Sequence, residues 1–346
     1  MRSRTAFWAV FLTLLLGVVP AHASAYDKGL FVSVLQRPVV LSDKKAVDEL
    51  IRYAKTNGYR TLYVQVYRAN QAWFPSKHAE NMKNEFPYLL DEAHQAGLKV
   101  HGWMNLLSLS ANGNAPLLKK YGDSILTRNS SKKWTRGGYK IDGQYFLEPG
   151  DPRVAEELSA IVEELVRAYP ALDGVQFDYI RYPDVKPAYG HTERNLARYK
   201  KSGGRKTDEK DPAWRKWKRT QVTSLVWLLR QSARSVRKDI PVSVTGLMTY
   251  ERAREEAFQD WKEWVEKGLV DFVTLMAYTD DAAQFDRYLQ DARYRLPEDA
   301  SKVNIAIGAY KLKKKPELYR RQWDVCEAQN LRSCVALDYE SLLQFK

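Results

Sequence analysis

Carboxyl, guanidinium and aromatic side chains follow several short apolar segments of this 346-residue chain. The clearest example is GVQFDYIRYP at residues 174–183, where an apolar strand pattern carries Asp178 and Arg181. The segments TLMAYTDD and VALDYES similarly carry Asp281 and Glu340 near their ends. Aromatic rings stack on the apolar faces of sugars, and hydrolysis of a glycosidic bond needs two carboxyl groups flanking it. These residue types therefore point to carbohydrate chemistry.

We expect Asp178 to act as a nucleophile or electrostatic stabiliser, kept ionised by Arg181 or Arg68. Glu340 is the first candidate for the proton donor and Asp281 the second, with a pKa raised by burial or by a nearby carboxylate. The predicted substrate-binding residues are Tyr67, Arg68, Trp73, Trp103, Asn105, Arg181 and Tyr278. The alternative for most of the carboxylates is that they pair with an arginine and only hold loops.

Predicted strands and helices, which could position these residues, alternate along the chain. Apolar, β-branched and aromatic runs predict strands at residues 30–34, 61–66, 99–103, 174–177, 241–246, 272–277, 303–307 and 334–337. Amphipathic patterns predict helices at 43–56, capped by Ser42, at 86–96, from Asp151 onward, and at 213–236, 253–267, 282–296 and 317–330. Strands that are apolar almost throughout predict an α/β fold with a parallel sheet closed as a (β/α)8 TIM barrel. An open doubly wound sheet is the alternative, but no G-x-G-x-x-G follows the first strand.

The first 25 residues predict a signal peptide. Two arginines precede an apolar run, and A-x-A cleavage patterns follow it. An uncleaved anchor is the alternative, although the run is short for a membrane span. The mature chain, residues 26–346, is then a single periplasmic or secreted domain with no integral membrane span. In an oxidising compartment Cys326 and Cys334 are expected to form a disulfide. Two Cys and five scattered His lack metal-ligand spacing, so no metal and no cofactor are expected.

The formal charge of +13 is concentrated after the fourth predicted strand. Residues 186–219 contain twelve Lys or Arg and four acidic residues, most of them in a basic insertion at about 184–212. For an exported protein, an anionic polysaccharide is a better partner than nucleic acid. A merely solvated basic loop is an equal alternative.

Four motifs resemble one known family. These are LEPGDPRV at 147–154, DGVQFDYIRYP at 173–183, FQDWKEWVEKGLVDFVTLMAY at 258–278 and DYESLL at 338–343. In this order they resemble the glycosyl-hydrolase-like family 10 barrels. The resemblance implies an exported or envelope sugar-chain hydrolase on a (β/α)8 barrel, with peptidoglycan glycan strands as a plausible substrate. It carries over to Asp178 and, less firmly, to Tyr278, Asp281 and Glu340.

The chain departs from that family at two positions. Glu148 stands where members more often have Asn or Asp, and Tyr179 stands where many have a second Asp. Strands four and six also resemble family 18 chitinases more weakly. Those enzymes need D-x-x-D-x-D-x-E, and here Gln176 and Ile180 replace the middle Asp and the Glu. The sequence therefore predicts a glycoside hydrolase of another mechanism, with a non-catalytic carbohydrate-binding barrel that tethers or senses envelope glycan as the alternative.

Overall fold

The computed structural model describes residues 27–130, 140–141, 143–184 and 188–345, and its centre is a closed barrel of eight parallel strands. Each strand pairs with the next in parallel, and the first also pairs with the last. The strands are β1 Asp27–Val32, β2 Thr61–Arg68, β3 Lys99–Asn105, β4 Gly174–Asp178, β5 Val242–Leu247, β6 Phe272–Met276, β7 Val303–Gly308 and β8 Ser333–Leu337. The predicted (β/α)8 barrel is confirmed.

Helices connect the strands and cover the outside of the barrel. They are α1 Lys44–Thr56, α2 Phe86–Gln95, α3 Pro116–Tyr121, α4 Pro152–Ala168, α5 Glu193–Lys201, α6 Pro212–Val236, α7 Tyr250–Glu255, α8 Trp261–Glu266, α9 Ala282–Arg295, α10 Ala309–Leu312, α11 Pro316–Glu327 and α12 Tyr339–Leu342. Outward-facing strand residues such as Val64 and Phe177 are fully buried beneath them. A strand covered on both faces must be apolar almost throughout, which is why these segments lack a polar alternation.

Two helix predictions are corrected. The N-cap of α1 is Asp43, whose carboxylate accepts from the amide of Ala46 at 3.0 Å, rather than Ser42. The helix predicted at 253–267 is two helices, α7 and α8. Phe258 between them has a φ of +57°, which an α-helix does not tolerate, and Asp260 starts α8 as its N-cap.

Several connections carry additional structure on the side of the barrel where the strands end, and the one after β2 contains short strands at Gln71–Ala72 and Glu80–Asn81. The connection after β3 contains short strands at Ser108–Ser110, Lys140–Ile141 and Gln144–Phe146. The connection after β4 contains α5 and joins α6, and it holds the predicted basic insertion. The predicted signal peptide lies outside the described residues.

The inside of the barrel is partly polar. Gln176 Oε1 accepts hydrogen bonds from Thr274 at 3.0 Å and from Ser243 at 3.3 Å. Asn304 Nδ2 donates to the hydroxyl of Tyr63 at 3.0 Å. These side chains form a layer in the middle of the barrel, directly below the residues at its open end. The layer gives the strands a fixed base on which to present those residues.

The late cysteines join a helix to the last strand. Cys326 in α11 and Cys334 in β8 form a disulfide, with their Cα atoms 6.3 Å apart. Both cysteines are fully buried. No helix in the described part of the chain has both the length and the apolar character that a bilayer crossing would require.

Candidate active site

The candidate active site lies at the barrel mouth, the end where the strands terminate. Arg68, Asn105 and Asp178 are neighbours in register on β2, β3 and β4. Residues in register share a face of the sheet, so all three face the mouth. A bulge in β2 makes this possible: the register shifts between Gln65 and Tyr67, which turns Tyr67 away from the mouth and Arg68 toward it.

Asp178 is fixed by its neighbours on both sides. Trp103 Nε1 donates a 3.0 Å hydrogen bond to Oδ2, and the Thr245 hydroxyl donates to Oδ1. The amide of Tyr179 also donates to Oδ1, at 2.7 Å. The residue is only 6% exposed. Three donors orient the carboxyl group, so its position is set before any ligand arrives.

The chain turns sharply after Asp178. Tyr179 has a φ of +57°, an uncommon conformation for a residue with a side chain. This turn brings the guanidinium of Arg181 over the Tyr179 ring, 4.6 Å from its centroid. Strain of this kind persists where the surroundings over-determine it and is frequent at functional sites.

The structure corrects the expected pairing of Asp178 with an arginine. Among the described residues, neither Arg181 nor Arg68 forms an ion pair with it or with any other carboxylate. Arg181 Nε and Nη1 are buried and have no hydrogen-bond acceptor within that part of the chain. Asn105 Oδ1 is also buried, and no donor in that part of the chain binds it. Partial burial lowers the pKa of Arg68 from its ordinary value. The mouth therefore presents two arginines that have no carboxylate partner among the residues the structure describes.

Tyrosines line the opposite part of the mouth. Tyr278 follows β6 and packs edge-on against Tyr310 in α10, with ring centroids 5.8 Å apart. Burial, and next the negative charge of Asp178, raise the pKa of Tyr278 well above its ordinary value. Tyr278 is half-buried, while Tyr310 is exposed. Tyr278 therefore lies close to Asp178, and its sugar-binding role stays a prediction. Tyr310 adds a second aromatic ring to this part of the mouth.

The other candidate carboxylates differ in how they are used. Asp281 is exposed and caps α9, accepting from the amide of Gln284 at 2.9 Å. Asp280 is paired with Lys315 at 2.8 Å, and Asp338 caps α12 through Ser341. Glu340, in the first turn of α12, is half-buried, and within the described chain its side chain has no hydrogen bond or ion pair. Among these candidates, Glu340 is the one whose carboxyl no residue in the described part of the chain holds.

Three aromatic residues that were predicted to bind sugar are buried and serve the packing or the orientation of other side chains. Tyr67 is fully buried in the main core, where its hydroxyl accepts from Asn70 Nδ2 at 3.2 Å, and Trp73 is almost completely buried in the same core. Trp103 is 7% exposed, lies inside the barrel against Phe31 and offers its indole N–H to Asp178. Tyr67 and Trp73 cannot stack on a sugar from these positions, and Trp103 positions Asp178.

Sequence reasoning missed two parts of the mouth. Thr245, on β5, is buried and binds Asp178, but a threonine in an apolar strand looks like an ordinary strand residue. Ser33 joins Gln36 and Gln65: its amide donates to Gln36 Oε1 at 2.9 Å and its hydroxyl to Gln65 Oε1 at 3.0 Å. Gln36 Nε2 is buried with no acceptor among the residues described. Polar atoms of this kind suit a ligand that supplies the missing partner.

Glu148 supports the rim of the mouth from beneath. It is fully buried, and accepts from the hydroxyls of Tyr182 at 2.5 Å and Thr127 at 2.9 Å and from the amide of Gly150 at 3.1 Å. Burial raises the pKa of its carboxyl. Glu148 thus ties together the connections after β3 and β4, and its departure from the family pattern has a structural role.

The fold and the mouth define a class. The closed (β/α)8 barrel, with a fixed carboxylate, amides and tyrosines at the ends of its strands, is a TIM barrel of the glycosidase type. The glycosyl hydrolase-like 10 family model matches residues 28–323, and the chain belongs to that family.

A curated relative agrees with this assignment, and solved structures agree with the fold. "Glycosyl hydrolase DigH" of Escherichia coli (strain K12) is 25% identical over 303 residues, which cover 78% of this chain. The match covers 66% of DigH, so the chain spans slightly less than two thirds of the length of that relative. The β-galactosidase from Bacillus circulans sp. alkalophilus superposes with a TM-score of 0.62 at 13% identity, covering 91% of this chain and 50% of that one. The β-galactosidase from the psychrophilic Marinomonas ef1 gives 0.62 at 11% identity, covering 90% and 54%. At these identities the likeness shows the fold alone.

Proposed function

We propose that this protein is an exported glycoside hydrolase that cleaves a polysaccharide, with peptidoglycan glycan strands or another anionic envelope glycan as its substrate. The carrying observation is Asp178, a carboxylate at the barrel mouth held by Trp103, Thr245 and the backbone of Tyr179. Catalytic groups of TIM-barrel enzymes lie at this end of the strands. Family membership and the name of the E. coli relative support the same reaction class.

Asp178 acts on the sugar that bears the bond to be cut. The transition state of glycoside hydrolysis resembles an oxocarbenium ion, with positive charge on the sugar ring. A carboxylate whose direction is already set stabilises that charge without reorganising during the reaction. Asp178 serves either as this stabiliser or as the nucleophile.

Glu340 is the proton donor in this proposal. It lies just after β8 on the same rim, and no protein group in the described chain occupies its carboxyl. It is therefore free to protonate the leaving oxygen. Asp281 is the second candidate, although its role as the cap of α9 restrains it.

Arg68, Arg181 and Asn105 bind the substrate. The guanidinium groups, which have no carboxylate partner in the described part of the chain, favour an acidic substituent, such as a carboxylate on the sugar, because guanidinium matches carboxylate geometry. Tyr278 and Tyr310 offer rings for the apolar face of a sugar. Export is supported by the predicted signal peptide at residues 1–25 and by the Cys326–Cys334 disulfide, which suits a periplasmic or secreted location.

A carbohydrate-binding barrel without catalysis is the second candidate. One observation favours it: Asp280, Asp281 and Asp338 are held in ion pairs or helix caps. A binding protein needs the arginines and tyrosines of the mouth but not a proton donor.

Incubation with purified peptidoglycan glycan strands, followed by chromatography of released fragments, tests the proposal. Wild-type protein releases fragments, and Asp178→Asn and Glu340→Gln each abolish the release. Asp280→Asn is the matched control: it neutralises an exposed carboxylate of the same rim and leaves turnover unchanged. Binding of the strands with no fragments from the wild type establishes the binding protein instead. Full turnover by either active-site variant removes that residue from the mechanism.

A further inference from the structure

A cavity of about 650 Å³ has a lining that does not include Asp178 or the other mouth residues. It opens between residues 123–128, the first turn of α4 and one face of α5. Its charged lining consists of the cations Arg128, Arg153, Arg194, Arg198 and Lys201 and the acids Asp123 and Glu193. Cations therefore outnumber acids five to two.

One buried carboxylate is shared by two of these arginines. Asp151 is 1% exposed, and accepts from Arg153 Nε at 3.1 Å and Nη2 at 2.6 Å. Arg194 Nε lies 3.5 Å from the same carboxylate, and the Arg194 side chain is half exposed. A single negative charge cannot neutralise two guanidinium groups, so this pair leaves positive charge facing the cavity.

The next two cations have no acidic partner in the described chain. Arg198 Nη1 donates to neutral acceptors, the carbonyl of Gly150 and Oε1 of Gln221. These contacts hold the guanidinium at the cavity wall and leave its charge intact. Lys201, at the end of α5, is exposed. The cavity thus combines arginines held by hydrogen bonds or ion pairs with an exposed lysine.

The cavity wall is connected to the active-site rim through a short ladder of backbone contacts. The amide of Leu106 donates to the carbonyl of Asp178 at 3.0 Å, and the amide of Leu147 donates to the carbonyl of Leu107 at 2.8 Å. Leu147 in turn pairs with Leu126, which lines the cavity. The cavity wall and the strand that carries Asp178 therefore belong to one hydrogen-bonded framework.

We infer that this cavity is a second anion-binding site that takes carboxylate groups of a glycan chain at a distance from the bond that is cut. The site holds the polymer on the enzyme through Arg194, Arg198 and Lys201 while Asp178 acts elsewhere on the chain. Guanidinium and ammonium groups attract carboxylates over several ångströms, and salt weakens this attraction. This inference rests on the proposed function in one respect, which is that the ligand is a glycan.

Binding of two defined probes tests the site without any hydrolysis. The probes are a long hyaluronate oligosaccharide, which carries carboxylates, and a chitin oligosaccharide of equal length, which does not. In Arg194→Gln combined with Lys201→Gln, calorimetry gives about tenfold weaker hyaluronate binding, since two exposed charge contacts are lost. Chitin binding is unchanged, and the dependence of hyaluronate binding on salt becomes shallower. Asp151 keeps Arg153 and its cap of α4, so the fold is retained.

Arg52→Gln combined with Lys55→Gln is the matched control, because it removes the same two charge types from exposed positions on α1. Wild-type hyaluronate affinity in the Arg194 and Lys201 variant overturns the inference. So does an equal loss in the control, which would indicate net charge alone, or a wild type that binds hyaluronate no better than chitin. Failure of the proposed hydrolysis shows itself separately, as an absence of released fragments, and leaves these binding results standing.

Discussion

The indole N–H of Trp103 lies 3.0 Å from Oδ2 of Asp178, so a residue inside the barrel determines the direction of the carboxylate at its mouth. The indole is itself fixed, because its ring packs edge-on against Phe31 at 4.9 Å between centroids. Asp178 is thereby oriented from below, by groups that a substrate does not displace.

Trp103→Phe keeps the aromatic contact with Phe31 and removes this hydrogen bond. We expect turnover to fall about tenfold or more, because a hydrogen bond to a charged group is worth about 1.5 kcal/mol or more. Steady-state kinetics on glycan strands measures the change. Trp264→Phe is the control, since it removes a comparable buried hydrogen bond, to Thr223 at 2.9 Å, far from the mouth. Equal losses in both variants would count against a positioning role.

Thr245→Val removes the other side-chain donor to Asp178 at nearly constant size. We expect a drop in turnover of about tenfold for the same reason, together with nearly full recovery in Thr245→Ser, which keeps the hydroxyl. The informative measurement is the ratio of turnover between the Ser and Val variants. If the two variants are equally slow, packing rather than the hydrogen bond to Asp178 explains the loss.

Arg181→Gln tests the charge of the substrate at the mouth. Because its guanidinium has no carboxylate partner in the described chain, we expect KM for glycan strands bearing carboxylates to rise about tenfold, as for loss of one charged hydrogen bond. KM for a neutral chitin oligosaccharide should change little. Arg320→Gln, on the surface of α11, serves as the comparison. A parallel rise of KM for both substrates would argue against anion recognition.

Lys218 makes stability depend on pH. It is completely buried on α6, with Nζ 2.6 Å from Glu209 and 3.9 Å from the centroid of the Phe258 ring, and burial lowers its pKa to about 8 from 10.5. Between these two values the unfolded chain holds a proton that the folded chain has released. The free energy of unfolding should therefore rise with pH across this window, by up to about 1.4 kcal/mol per pH unit.

Urea unfolding of the wild type and of Lys218→Met, compared at several pH values across that window, checks this expectation. The difference in pH dependence between the two proteins isolates Lys218 from other titrating groups. Identical slopes would mean that Lys218 has an ordinary pKa in the folded protein.

The fold could be predicted from the sequence because burial on both faces leaves each strand with an apolar composition. The same reasoning could not divide 253–267 into two helices, since the break depends on the backbone of Phe258 rather than on a proline or glycine. The roles of the aspartates at strand ends could not be predicted either, because they depend on the local backbone. Asp178 faces the mouth while Asp281 and Asp338 cap helices, yet each stands at the end of a strand or directly before a helix. Only the direction of each side chain separates the two uses.

The bulge in β2 decides which chemistry this strand contributes. Strict alternation from Gln65 would aim Tyr67 into the mouth and bury Arg68 on the outside. The extra residue, Val66, reverses this parity. Without Val66 the same pairing would hold as a regular strand, with Tyr67 still outside and Arg68 still at the mouth, whereas a regular strand that kept Val66 would place the phenol there instead of the cation. The side chain that β2 presents at the mouth therefore depends on one local irregularity of the backbone as well as on the identities of its residues.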